Sequence, residues 1–158
     1  MNNKNSPKTA VCLWFDGHAE EAAEFYTSLV PGSEIVQVTR LREDQPALVV
    51  EFLLGGVPFQ ALNGGPKYKH SEAASIVVST KDQSETDRLW DALTADGGSE
   101  SRCAWLKDRF GVSWQIVPEV LNEYINAPHR AAAERAMEAM LGMNKIIIAD
   151  LEAAFKGE

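Results

Sequence analysis

The spacing of apolar positions changes along the chain in a repeating order. Residues 10–15, AVCLWF, form a short apolar and aromatic run closed by Asp16-Gly17, the pattern of a strand followed by a turn. Residues 18–30 then carry Ala22, Phe25, Tyr26 and Leu29 at helical spacing. Glu20, Glu21 and Glu24 fall on the other side or in the first turn, and Pro31-Gly32 stops the helix. Three strand-like runs follow at residues 34–40, 47–54 and 57–62, separated by Asp44-Gln45-Pro46 and by Gly55-Gly56. The predicted order is β-α-β-β-β.

After Asn63-Gly64-Gly65-Pro66 the order begins again. Residues 75–80, SIVVST, are rich in β-branched side chains, and Asp82 is placed to cap a helix over residues 83–96 whose buried stripe is Leu89, Trp90 and Leu93. Gly97-Gly98 ends that helix, and residues 99–107 and 112–117 supply the strands of a second β-α-β-β-β unit. The ends of the two units match residue by residue: Gly56-Val57-Pro58-Phe59-Gln60 repeats as Gly111-Val112-Ser113-Trp114-Gln115. An internal duplication explains the match. Beyond residue 118 the pattern is helical only. Alanines with Met137, Met140 and Leu141 form one amphipathic helix between Arg130 and Gly142, and Ile147, Ile148, Leu151, Ala154 and Phe155 suggest another. These helices need an apolar surface, expected to be their own chain's sheet, with contacts to a second copy secondary. The predicted organisation is a flexible tail over residues 1–9, a first module over 10–62, a connector over 63–74, a second module over 75–118 and a helical extension over 119–158.

Composition narrows the function. The 158 residues suffice for a sizeable core, and 45% hydrophobic with 24% charged residues is the balance of a soluble globular protein. A net charge of −8 gives no general attraction for nucleic acid or anionic lipid. The first nine residues lack the apolar core of a signal peptide, and no stretch approaches the roughly 20 apolar residues of a membrane span. Cys12 and Cys103 show neither a CxxC spacing nor the density of a disulfide scaffold; both are expected to be buried thiols in a reducing cytoplasm, Cys12 pointing toward the first helix. No GxG, GxxxxGK[ST], HExxH or GxSxG pattern occurs, so the common dinucleotide, phosphate, zinc-protease and serine-hydrolase motifs find no support.

Two β-α-β-β-β units in one chain resemble the vicinal oxygen chelate superfamily, which includes glyoxalase I, extradiol dioxygenases and bleomycin-resistance proteins. The segments LWFDGHAEEAAEFYTSLVPGSEI, FQALNGGP, DQSETDRLWDALTADGG and WLKDRFGVSWQIVP, with the ending MNKIIIADLEAA, are similar to its PhnB-like branch, whose members are often labelled 3-demethylubiquinone-9 3-methyltransferase. The resemblance implies an α+β fold of paired βαβββ modules forming curved mixed sheets, a homodimer, and a small organic ligand. In metal-dependent members, histidine and glutamate on the first and last strands of each unit hold the ion. Those positions fall here on Thr9, Ser75, Gln60 and Gln115, all neutral, so neither a metal nor another cofactor is expected.

Strand alternation then defines a candidate pocket. If Phe59 and Trp114 pack under the helices, Gln60 and Gln115 face the other side, joined by Thr9, Leu13 and Phe15 from the first strand and Ser75 and Ser79 from the fifth. Trp105 either stacks on a ligand or fills the core. Apolar walls with a few neutral hydrogen-bonding groups are the usual character of a small-molecule site. Lys107, Asp108 and Arg109 read as a solvated turn, and His18, His70 and His129 as capping or surface groups. The leading expectation is a metal-free small-molecule-binding protein. The alternatives are a lyase, isomerase or methyltransferase acting in a dimer cavity, and a drug-sequestering resistance protein. A conventional S-adenosylmethionine enzyme would need a glycine-rich turn after the first strand of an alternating βαβ sheet, and Phe15-Asp16-Gly17-His18 does not supply one.

Overall fold

The computed structural model describes residues 7–158, so residues 1–6 of the expected N-terminal tail lie outside the described residues. The chain divides into two compact units, residues 1–69 and 70–158. The first unit runs β1 (Val11–Phe15), α1 (Ala19–Leu29), β2 (Glu34–Thr39), β3 (Val49–Leu54) and β4 (Val57–Asn63). Its sheet has the order β1-β4-β3-β2, with β1 parallel to β4 and the other pairs antiparallel. One face is closed by α1. Leu13, Phe15, Val50, Phe52, Leu54, Phe59 and Ala61 are buried there with Ala19, Ala22, Ala23 and Tyr26, and Phe52 stacks on Phe59 at 5.4 Å between ring centroids. The small alanines of α1 let the helix lie close to this layer of larger side chains.

The second unit repeats the scheme with β5 (Ser75–Thr80), α2 (Gln83–Thr94), β6 (Ser99–Glu100), β7 (Trp105–Lys107) and β8 (Ser113–Pro118), in the order β5-β8-β7-β6. Both units therefore have the predicted βαβββ form. Asp82 caps α2 as its sequence position suggests, its carboxylate accepting from the Glu85 amide at 2.8 Å. Leu89, Trp90 and Leu93 of α2 bury against Leu106, Trp114 and Ile116. Thr80 and Thr86, both fully buried, satisfy each other at 2.7 Å.

The short middle strands expected over residues 99–107 are β6 and β7, and a corner separates them. Cys103 and Ala104 have φ of 55° and 72°, a left-handed conformation that costs non-glycine residues energy. Their amides are held by the carbonyls of Met143 and Asn144 at 2.8 and 2.9 Å, so the C-terminal extension fastens the corner. That extension contains α3 (Glu119–Ile125), which the sequence pattern did not separate, then α4 (Arg130–Leu141) and α5 (Ile148–Lys156). The three helices and the α4–α5 connection build a core of Leu121, Ala136, Ile146 and Leu151 around Ala104, with Val117, Tyr124, Met140 and Phe155 packed against it. His129 caps α4, its Nδ1 accepting from the Ala132 amide at 3.2 Å. No helix among the described residues is long and apolar enough to cross a membrane.

Candidate functional site

Strand register decides which side chains share a face, since paired residues point the same way. In the second unit, Gln115 of β8 pairs with Val77 of β5 and Trp105 of β7, while Ser113 pairs with Ser75 and Lys107, and Lys107 with Ser99. Two rows thus cross the face turned away from α2: Val77, Gln115 and Trp105 in one, and Ser75, Ser113, Lys107 and Ser99 in the other. Ser79 lies on the same face, opposite Val117. Gln115 Nε2 donates to Ser75 Oγ at 2.9 Å, tying the rows together. A cleft of about 200 Å³ opens here, lined by Glu72, Ser99, Ser101, Trp105, Lys107 and Ser113, with Glu100 and Leu106 completing it.

The electrostatics of the cleft are set by three charged groups. Lys107 Nζ lies 2.8 Å from Glu72 Oε1, and this contact holds the Glu72 carboxyl below the usual carboxylate range. Glu100 is also lowered, first by the Trp90 indole N–H donating at 2.7 Å and then by Asn144. Both carboxylates therefore have donors from the chain. Ser113 Oγ is fully buried and has no hydrogen-bond partner among the described residues.

Asp108 is not part of a solvated turn. It is 2% exposed; Oδ1 accepts from the amides of Phe110 and Val112 at 2.9 and 3.0 Å, and Oδ2 accepts from the Trp114 indole at 2.9 Å. Gly111, at φ +86°, completes the turn, whose position requires a residue tolerant of the left-handed region. The carboxylate organises the link between β7 and β8, and thereby sets Lys107 beside Ser113.

In the first unit, Gln60 pairs with Cys12 of β1 and Glu51 of β3, and Glu51 with Gln37 of β2. Cys12, Gln60, Glu51 and Gln37 form a row on the face away from α1, where Gln60 Nε2 donates to Glu51 Oε1 at 3.1 Å. Trp14 follows on that face opposite Leu62, its indole donating to the Gly65 carbonyl at 2.8 Å. This register corrects the expected membership of the pocket. Leu13 and Phe15 are buried under α1 with Ala61 and Phe59, opposite to Gln60; Thr9 is exposed and precedes the strand. Cys12 is exposed rather than directed at the helix, and Cys103 is half-buried, so neither is the buried thiol expected. Every residue of AVCLWF is apolar, so alternation carried no signal for the face of β1. Register, unlike the alternation of β1, would have exposed Cys12 and Glu51 as neighbours of Gln60.

The donor chemistry does not fit a divalent ion on the second sheet, where the partners of Gln115 are a valine, an indole and a serine hydroxyl. Among the described residues, no three histidine, cysteine, aspartate or glutamate side chains gather at one point.

Comparison with known proteins places the chain. The family model described as 3-demethylubiquinone-9 3-methyltransferase matches residues 7–117. Among solved structures, the PhnB protein from Bacillus cereus is 29% identical with a TM-score of 0.65, over 71% of this chain and 99% of that one. Protein PA1353 from Pseudomonas aeruginosa is 24% identical with a TM-score of 0.57, covering 72% of this chain and 98% of its own. The fosfomycin resistance protein FosX from Listeria monocytogenes shares the fold at 13% identity, with a TM-score of 0.53 over 75% of this chain and 96% of that one. No protein of curated function matches. The two βαβββ units, the matched family model and the PhnB neighbour agree, and the fosfomycin resistance protein shares the fold: the chain belongs to the PhnB-like 3-demethylubiquinone-9 3-methyltransferase family.

Proposed function

We propose that the chain binds a small organic molecule on the sheet face turned away from α2, with Ser75, Ser79, Trp105 and Gln115 among the contacts; Gln60 holds the matching position in the first unit's own sheet. The observation that carries this reading is the cleft of about 200 Å³ at a face where an amide, hydroxyls and an indole stand in adjoining rows. Trp105 lines the cleft beside Ser99, Ser101, Lys107 and Ser113, and concave sites are the usual places for small ligands. The methyl-transfer chemistry in the family's description has no glycine-rich cofactor turn to support it here, so the proposal assigns binding and no reaction.

Amide-resolved NMR with a mixture of small planar fragments tests the reading. Saturable shifts confined to Ser75, Trp105, Gln115 and their neighbours are expected, and Gln115→Leu should weaken them about tenfold, the worth of one polar contact. Fragments that shift no residue of this face would overturn the proposal. Homodimerisation belongs to the same reading, and sedimentation equilibrium should give twice the chain mass.

A further inference from the structure

One polar atom of the cleft lacks the partner that burial demands. Ser113 is 1% exposed, lines the cleft, and its Oγ is a buried oxygen without a hydrogen bond among the described residues. Native proteins satisfy nearly all such groups, and a ligand is one means of doing so. The neighbours on either side in its row are informative. Ser75 Oγ already receives the Gln115 amide. Lys107, the other neighbour, is held by Glu72, but that pair is exposed, at 39% and 68% for the two side chains, and is cheaply exchanged.

Two groups of the cleft have donor capacity to spare. Glu100 accepts from Trp90 and Asn144, and Glu72 from Lys107, whereas Ser113 O–H has no acceptor and Lys107 carries three N–H groups for one carboxylate contact. Trp105, half-buried and paired with Gln115, provides a flat wall beside them. A space of about 200 Å³ accommodates a single small ring with a substituent.

Resting on the binding function proposed above, we infer that the cleft takes a small planar carboxylate, one oxygen accepting from Ser113 and the other from Lys107 in place of Glu72, with its ring against Trp105. A carboxylate is favoured over a neutral carbonyl because it has two acceptor oxygens for the two donors and answers the lysine charge once Glu72 is displaced.

Benzoate and its neutral analogue benzamide, titrated against the full chain while the Trp105 indole N–H is followed by NMR, test the inference. Benzoate should bind saturably and more tightly than benzamide. Lys107→Met should weaken benzoate about ten- to a hundredfold and Ser113→Ala about three- to tenfold, with benzamide little affected by the lysine change. Glu72→Gln should tighten benzoate several-fold, a gain that impaired folding cannot imitate. Benzamide binding as tightly as benzoate, or benzoate affinity indifferent to both Lys107→Met and Glu72→Gln, would overturn the carboxylate and leave the small-molecule reading standing. Neither probe moving the Trp105 signal, with fragments also silent on this face, would remove both.

Discussion

Asp108→Asn tests whether the buried carboxylate between β7 and β8 is a structural knot. The wild-type carboxylate accepts from two backbone amides and the Trp114 indole, all at 2.9–3.0 Å. The amide variant keeps Oδ1 for the backbone but turns an NH₂ donor toward the indole N–H, leaving two donors facing each other in a site 2% exposed. An unsatisfied buried donor costs about 1–3 kcal/mol, and the two backbone bonds lose their charge assistance, so the total is about 2–4 kcal/mol. Urea unfolding followed by far-ultraviolet circular dichroism should show the midpoint falling by about 1–2 M. Trp114→Phe provides the control because it removes the indole N–H. In that background Asp108→Asn should cost less by about 1–3 kcal/mol, the coupling between the two side chains. A coupling below about 0.5 kcal/mol would refute the reasoning, since the indole bond would then contribute nothing beyond packing.

Two further changes probe each unit by itself. A Cβ added at Gly64 would overlap the Trp14 ring, whose indole is anchored on the next residue's carbonyl. Gly64→Ala should displace the ring, shift its indole N–H resonance and destabilise by about 1–3 kcal/mol; an unmoved Trp14 signal would contradict the packing. In the second unit, the Asp87 carboxyl is lowered by Gln83 and then Lys145, and the Glu100 carboxyl by Trp90 and then Asn144, from ordinary values of 3.8 and 4.5. Lowered folded-state values mean that the unfolded chain takes up protons first as pH falls. Their stabilisation is present above the ordinary values and is lost as pH falls through the lowered ones. Asp87→Asn should flatten the acid limb of the stability curve measured by chemical denaturation, and an unchanged limb would show that its contacts with Gln83 and Lys145 are inert.

How much of this was legible in the sequence depended on whether each strand alternates. In residues 57–62 and 112–117 a glutamine stands between apolar neighbours, so a period of two identifies the faces of Gln60 and Gln115. Ser75 and Ser79 alternate with Ile76 and Val78 and are equally readable. AVCLWF does not alternate, and only pairing with β4 shows that Cys12 and Trp14, not Leu13 and Phe15, share the face of Gln60. The break at Cys103 and Ala104 was hidden for a different reason. Neither residue type signals a left-handed backbone, and the amides are held by carbonyls about 40 positions further along the chain.

The same distinction explains why Lys107 and Asp108 looked alike as surface charges. Adjacent residues on a strand and the turn after it point to different places: Lys107 lies on the face of Trp105 and Ser113, while Asp108 turns inward to the Trp114 indole on the α2 side. Sequence composition counts both as polar loop residues. Their separate uses appear only when Ser113 is seen opposite Lys107 and the indole opposite the carboxylate. A buried anion supported by three N–H groups can therefore fix a turn whose preceding lysine remains available to a ligand. On this argument the two side chains separate by experiment, with Asp108→Asn lowering stability and Lys107→Met lowering benzoate affinity in a chain that still folds.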